Sequence, residues 1–346
     1  DPMKGGVINP ISVYPFPNFK AEQTKSYELG TNLRLFNNKI NIDATVYLTD
    51  TYNQTFLSSM SPASGYSGFY VQAGKVRNKG IELSLGYNDR FGKVGYATNL
   101  TYTANRNKIM KMVHDYKNPS DGSLFSITEL TLQDKGGVYL REKDAIGDVY
   151  VKGILARGKD GKLIEEEGGY KVDRSQRIKI GSVNPDFSIG WRHNVTWNNI
   201  TLDLLFNGRF GGIVTSSTQA FLDDYGVSKD TYKARQNGGV WVNGTQYDAE
   251  KYYTTIGGEQ LMAYYAYKAT NIRLQEASLS YTLPGKWFGN VINRLTVSAI
   301  GRNLWMIYNK APFDPEMTSS TGTYNRGDVF MPPSLRSVGF SVKIEL

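Results

Sequence analysis

Residues 184–211 read NPDFSIGWRHNVTWNNITLDLLFNGRFG, and their alternation sharply narrows the folds open to this chain. Phe187, Ile189, Trp191, His193, Val195 and Trp197 fall on one side of a period-2 repeat, with Ser188, Gly190, Arg192, Asn194 and Thr196 on the other. After Asn198-Asn199 the apolar side resumes at Ile200, Leu202, Leu204, Phe206 and Phe210, opposite Thr201, Asp203, Asn207 and Arg209. Successive side chains of a strand point to opposite faces, so each run predicts a strand with one apolar and one polar face. Asn tolerates positive φ, which makes the Asn pair the turn of a hairpin. Each run is longer than the usual strand of roughly five to six residues. Each also reaches the about 9–11 residues with which a tilted strand crosses a bilayer.

The same pattern recurs along the chain. Residues 1–23, rich in Pro (Pro2, Pro10, Pro15, Pro17) and aromatics (Tyr14, Phe16, Phe19), predict an irregular start. Residues 26–36 alternate Tyr27, Leu29, Thr31, Leu33 and Leu35 against Glu28, Asn32 and Arg34. Asn37-Asn38 then turns the chain back into Ile40, Ile42, Ala44, Val46 and Leu48. Residues 53–77 read as a Ser/Gly/Tyr loop. Further strands are expected over 78–88 (Ile81, Leu83, Leu85, Tyr87 on the apolar face) and 94–105 (Tyr96, Leu100, Tyr102). Three more are expected over 271–283, from 295 to about 308, and from 338 to the end through Val338, Phe340, Val342, Ile344 and Leu346. In 271–283 the phase shifts between Leu274 and Ala277, which predicts a bulge near Gln275-Glu276. Residues 106–183, with Asp121-Gly122 and Asp160-Gly161 turn signals, and 212–269 read as long loops, and 310–334 as another.

Nine strands in this order give connections that alternate short and long. That is the habit of outer-membrane β-barrels, which have short periplasmic turns and longer extracellular loops. A β-sandwich, the soluble rival, alternates apolar and polar residues too but has no reason to alternate its loop lengths. The strand count is odd and an open edge in lipid leaves amides unpaired. The expectation is therefore an all-β, antiparallel transmembrane β-barrel of which residues 1–346 supply about nine strands, one part of a larger barrel. The loops near Ser120, Asp224 and Thr321 are expected outside the cell.

Composition fits. Mean hydropathy is −0.41 and no run approaches the about 18 apolar residues of a membrane helix. Half of each barrel strand faces a polar interior, so low hydropathy is no objection. There is no Cys, and only two His, His114 and His193, so thiolate chemistry and a His-rich metal site are excluded. The net charge of +8 comes from scattered Lys and Arg with no stripe, which argues against a nucleic-acid partner. The start, DPMKGGV, carries no secretory signal, so a processed or truncated start is expected.

Four stretches carry a family resemblance: NKGIELSLGY (78–87), IGSVNPDFSIGWRHNVTW (180–197), ATNIRLQEASLSYTLP (269–284) and GRNLWMIYNKAPFDPE (301–316). Together they resemble the C-terminal third of a SusC/RagA-type TonB-linked outer-membrane transporter of Bacteroidota. The loops between them match poorly, and the chain ends in Leu346 where the family usually has an aromatic residue. The resemblance implies a barrel of 22 strands, with a plug domain and early strands outside this sequence. It implies contact with TonB-ExbB-ExbD through that missing N-terminal part, and a SusD-like lipoprotein over the barrel mouth. The implied cargo is an oligosaccharide or an oligopeptide. A TonB-dependent siderophore or cobalamin receptor, which shares the barrel, is the alternative within the same class. A soluble β-sandwich carbohydrate-binding or adhesin module is the alternative outside it.

Motifs for chemistry are weak. Residues 153–159, GILARGK, imitate a phosphate-binding loop, but Asp160 stands where Ser or Thr is needed, and residues 159–162 read better as a tight turn. Asp314-Pro315-Glu316 has no neighbouring nucleophile or His and reads as a structural loop. Glu165-Glu166-Glu167 reads as a solvated loop. No catalytic residue, metal ligand or cofactor is expected. Binding falls to side chains on the polar face, for which Arg34, Arg192, Asp203, Arg209 and Arg273 are the lumen-side candidates. In the long loops, Asp223, Asp224, Tyr225, Tyr252, Tyr253, Tyr264, Tyr265 and Tyr267 are the candidates for contact with a partner or substrate, since tyrosine offers both an apolar ring and a hydroxyl. Tyr27, Tyr87, Tyr96, Trp191 and Trp197 are candidates for an interfacial girdle.

Overall fold

A computed structural model describes residues 3–4, 7–8, 13–14, 19–59, 66–117, 122–132, 138–289, 291–319 and 327–346. Pro2, Pro10, Pro15, Phe16, Pro17, Ser120, Asp121 and Thr321, used above, lie outside them. Nine long strands make one meander: β1 (Gln23–Leu35), β2 (Ile40–Ser59), β3 (Gly68–Phe91), β4 (Val94–Lys111), β5 (Phe187–Trp197), β6 (Ile200–Phe210), β7 (Asn271–Pro284), β8 (Arg294–Asn309) and β9 (Ser337–Glu345). Each is antiparallel to the next, and β4 joins β5 directly although some 75 residues separate them in sequence, a loop-closure cost that grows only slowly with length.

The register explains why this sheet forms. Leu33, Ile42, Leu85, Leu100, Trp191, Phe206, Leu274 and Trp305 are successive cross-strand partners from β1 to β8. One residue along, Asn32, Asp43, Ser84, Thr101, Gly190, Asn207 and Arg273 make the adjoining row. A one-residue slip would move a whole strand's apolar set to the wrong face, so two faces of opposite polarity fix the pairing of every strand at once. The phase shift in β7 is resolved as expected: Leu205 pairs with Glu276 and Phe206 with Leu274, which leaves Gln275 as the extra residue. Without that bulge Ile272 and Leu274 would enter the polar face. The Asn turns also behave as expected, with φ of 54° and 65° at Asn37 and Asn38 and 49° at Asn198.

No second sheet covers the apolar face among the described residues. Val338 and Phe340 are 82% and 85% exposed, and Trp191, Trp197 and Tyr27 stand out with them. A sandwich would bury these side chains. The outer edges of β1 and β9 have no strand partner among the described residues, so these strands form an open wall.

Four connections of two to nine residues, at 36–39, 92–93, 198–199 and 285–293, lie at one end of the wall. At the other end two expectations are corrected. Residues 53–59 and 68–77 are not a loop: β2 and β3 continue through them, pairing from Gln54 with Ala73 to Ser59 with Gly68. At about 3.3 Å per residue a strand of 20 or more residues far outruns a bilayer core, so its upper half meets water and protein and loses the simple alternation. Nor are the two longest segments irregular. Residues 112–186 contain a hairpin of Asp148–Leu155 with Val172–Ser182, and a core in which Leu130, Leu132, Leu140 and Ile146 close on Phe56, Val71, Val76, Ile109 and Met112. Residues 211–270 contain α1 (Ser217–Asp224), α2 (Lys229–Gln236) and α3 (Ala249–Gly258). Ser216, Ser228 and Asp248 cap them, each accepting the backbone N–H three residues on at 2.9, 3.0 and 2.8 Å.

Candidate functional site: the polar face and the lobe above it

The polar face carries hydrogen-bonded polar and charged pairs. Near the short-turn end Arg34 is exposed beside Asn32, Asn41, Asp43, Ser84 and Asn99, which line a recess of 520 Å³. There Asn32 Nδ2 donates to Asp43 Oδ2 at 3.0 Å and Ser84 Oγ to Asn99 Oδ1 at 2.9 Å. Arg192 and Asp203 do meet: Arg192 Nη2 donates to Asp203 Oδ1 at 3.4 Å, and Asn194 Nδ2 donates to the same oxygen at 2.9 Å. Exposed pairs of this kind contribute about 0–1 kcal/mol each, so they can exchange partners for a passing ligand at little cost. Arg302 Nε donates to Glu276 Oε2 at 2.9 Å. Sequence parity missed that pair because the β7 bulge places Glu276 on the polar side. Arg209 Nη2 donates to the Val183 carbonyl at 2.6 Å, tying β6 to the segment before β5.

Arg273 differs, and its assignment as a ligand-facing lumen residue is corrected. Its side chain is 5% exposed and its Nη2 lies 2.8 Å from Asp314 Oδ1 and 3.3 Å from Glu316 Oε2. Asn271 Oδ1 accepts from its Nε and Nη2 at 3.2 and 3.1 Å, and Asn303 Oδ1 accepts from Nη1 at 3.3 Å. Asn309 Nδ2 then donates to the carbonyls of Ala311 and Phe313 at 3.0 and 2.7 Å. This clamp holds residues 310–316 against the wall, the structural role expected of Asp314-Pro315-Glu316. It also joins the two stretches 269–284 and 301–316 that carried half of the resemblance.

The lobe tyrosines mostly hold the lobe together. Tyr265 is 1% exposed, and Asp223 is 4% exposed, accepting from Gln219 Nε2 at 3.0 Å, so neither presents a surface to a partner. Burial and the neighbouring Asp223 raise the Tyr265 phenol, and burial raises the Asp223 carboxyl. Tyr252 packs edge-on against Tyr253 and Tyr264, with ring centroids 5.4 and 6.4 Å apart. Burial pushes both Tyr252 and Tyr253 up to about 12. The Tyr264 hydroxyl accepts the Leu155 N–H at 3.0 Å, and Tyr267 packs edge-on against Phe313. Asp224 is half-buried, while Tyr225 is 77% exposed. The lobe also exposes residues that sequence reasoning missed: Phe221, Val227, Tyr232 and Phe330, the last 63% exposed with its ring tilted against that of Phe221 at 5.4 Å. Phe330 sits over 100 residues from α1, and no local pattern could have joined them.

The remaining motifs sit in structural surroundings. Residues 159–162 form the expected turn, closed by Gly158 N–H to Lys162 O at 2.9 Å, with no helix to receive a phosphate. His193 Nδ1 lies 2.9 Å from the Tyr96 hydroxyl, and His114 Nε2 lies 2.5 Å from Glu142 Oε2. Among the described residues no group of His, Asp or Glu side chains is placed to hold a metal ion.

Comparison with known proteins agrees with this architecture. The family described as TonB dependent receptor-like, beta-barrel, matches residues 5–204. TonB-dependent receptor P3 of Formosa agariphila is 24% identical over 338 residues, covering 91% of this chain and 32% of the relative. TonB-dependent receptor P39 of the same organism is 21% identical over 360 residues, covering 90% and 34%. The chain thus spans about a third of the length of the curated relatives it matches. Among solved structures, the RagAB peptide importer in its open-open state aligns with a TM-score of 0.70 at 19% identity, covering 97% of this chain and 36% of that one. The RagAB peptide transporter aligns with a TM-score of 0.65 at 18% identity, covering 93% and 35%.

Proposed function

The chain belongs to the TonB dependent receptor-like β-barrel family of the outer membrane, and from that premise we propose that it is the outer wall and lobe of an active importer. The cargo is an oligosaccharide or oligopeptide, and a SusD-like lipoprotein works with the barrel from outside. A plug, the remaining strands and the contact with TonB belong to the rest of the protein. One observation carries the reading: two faces of opposite polarity stay in register across the wall while every large connection gathers into a folded lobe at one end. A folded lobe of this size at one rim serves as a lid or docking platform better than as a linker. The structural neighbours, the RagAB peptide transporter and importer, support a peptide among the candidate cargoes.

Orientation follows from the same asymmetry, with the lobe outside and the short turns periplasmic. A cysteine in place of Tyr225 should react with a membrane-impermeant maleimide on intact cells, and one in place of Asn198 should not. Labelling at Asn198 alone would invert the topology.

The partner reading rests on the exposed apolar side chains Phe221, Tyr225, Val227, Tyr232 and Phe330 of the lobe, of which Phe221 and Phe330 are in ring contact. Large exposed aromatics in a cluster are the usual anchors of an interface, worth about 2 kcal/mol or more each when central. Deleting residues 223–267 would remove Tyr247, Ile256, Leu261 and Tyr265 from the lobe core, so point substitutions are the cleaner test. Tyr225→Glu with Phe330→Glu should leave the barrel folded and strip the lipoprotein from the purified protein. Undiminished co-purification would remove this surface from the interface.

A further inference from the structure

Above the apolar belt, on the same outward face, four adjacent strands carry an unusual run of cations. The uppermost apolar row on β1–β4 is Leu29, Val46, Ile81 and Ala104. Two residues up each strand, and therefore on the same face, the row is Tyr27, Leu48, Lys79 and Arg106. Two further up it is Lys25, Asp50, Arg77 and Lys108, with Lys75 beside Tyr52 above that. The shared face is visible in the contacts: Lys75 Nζ and Lys25 Nζ sit 5.2 and 5.8 Å from the centre of the Tyr52 ring. Arg77 Nε and Lys75 Nζ both reach Asp50, at 2.7 and 2.8 Å. Arg106 is 59% exposed and pairs with Asp186 at 2.6 Å. Lys25, Lys79 and Lys108 are exposed and have no acidic partner among the described residues.

Six cations against two contacting carboxylates lie about 7–20 Å, measured along the strands, above the last lipid-facing apolar row, with Lys79 and Arg106 lowest and Lys75 highest. The lowest pair, Lys79 and Arg106, lies at the depth of the headgroup layer, and the others reach above it. We propose that this patch binds phosphate-bearing lipid headgroups of the leaflet next to the lobe, with the acyl chains lying on the Leu29, Val46, Ile81 and Ala104 row. Guanidinium and ammonium groups bind phosphate oxygens by charge-assisted hydrogen bonds, and basic clusters at the edge of an apolar membrane surface select anionic headgroups. Continuity with the lipid-facing belt favours a lipid over an acidic protein, because any occupant of the lower row must share the surface with acyl chains. The inference rests on the assignment of the apolar face to lipid, and on the orientation only for which leaflet is meant.

The test uses the full-length protein in nanodiscs of mixed phosphatidylglycerol and phosphatidylcholine, with lipids retained after detergent extraction measured by mass spectrometry. Wild type should keep phosphatidylglycerol over phosphatidylcholine at least about tenfold above the bulk ratio. The combined variant Lys25→Gln, Lys79→Gln, Arg106→Gln and Lys108→Gln should fall to the bulk ratio. A control that neutralises Lys39, Arg90, Lys93 and Lys286, at the short-turn end, should behave as wild type. Equal enrichment in the patch variant, equal loss in the control, or complete displacement of the lipid by inorganic phosphate would each overturn the proposal. Both leaflets of the disc hold the anionic lipid, so this result does not depend on orientation. Labelling of a cysteine in place of Lys108 on intact cells then reports the leaflet separately.

Discussion

Arg273→Ala should be the most damaging single substitution outside the lipid-facing surface, costing about 3–5 kcal/mol. The guanidinium is 5% exposed and holds Asp314, itself 8% exposed, together with Glu316. Its removal leaves a buried carboxylate without a counter-charge and frees the chain after β8 from the wall. Urea titration of the folded protein in lipid should show the loss, and limited proteolysis should now cut within residues 310–319. Arg273→Met combined with Asp314→Leu should recover most of the stability, because it removes both charges. The pH dependence has a definite sign. Burial opposes ionisation of Asp314, but hydrogen bonds from Arg273, Ser334 and the Glu316 N–H outweigh it and hold the carboxyl below its ordinary value. The folded carboxyl is therefore more acidic than the unfolded one. Its contribution is complete above the ordinary Asp value of about 4 and disappears as pH falls through the lowered value. The gap between wild type and Arg273→Ala should accordingly be flat near neutrality and close only in strong acid.

Leu204→Arg should cost about 2–4 kcal/mol of folding into lipid, the range for a cation at the bilayer midplane on a barrel's outer face. Leu204 lies midway along β6, paired with His193 and Ala277 on the apolar face. The adjacent residue faces the other way. Asp203 contacts Arg192, which is 62% exposed, so that pair is screened by solvent. Asp203→Asn keeps hydrogen bonding to Asn194 and should cost less than about 1 kcal/mol. Urea titration of the two variants in the same lipid should separate them clearly. Equal losses would mean that β6 does not divide lipid from lumen.

The wall was legible in the sequence because a single physical rule, alternation, governs every residue between two different solvents. The bulge at Gln275 was legible for the same reason: a break in phase has nowhere else to go. Legibility ended where that rule ended. Residues 53–59 and 68–77 remain strand but leave the bilayer, so Ser, Gly and Tyr replaced the alternation and imitated a loop. The helices α1–α3 left local traces in Ser216, Ser228 and Asp248, each followed by a backbone N–H it could cap. The segment's tyrosines and glycines suggested open loop instead. Sequence makes those tyrosines candidates for binding, yet Tyr265 is buried and Tyr264 and Tyr252 pack half-buried against the lobe core, while Tyr225 and Phe330 stay exposed. Arg273 was placed on the right strand and face, but its partners Asn303, Asp314 and Glu316 arrive from 30 or more residues away, which no period can announce.

The central claim is that one face of this wall meets lipid and the other water. Nitroxide spin labels placed singly at each position of β6 from Thr201 to Arg209, in the full-length protein reconstituted in lipid, test it most directly through collision with oxygen and with a water-soluble nickel complex. Oxygen accessibility should peak at positions 202, 204 and 206 and nickel accessibility at 201, 203 and 205, a period of two carried in opposite phase by the two probes. A flat profile, or nickel maxima at 202, 204 and 206, would contradict a lipid-facing apolar wall.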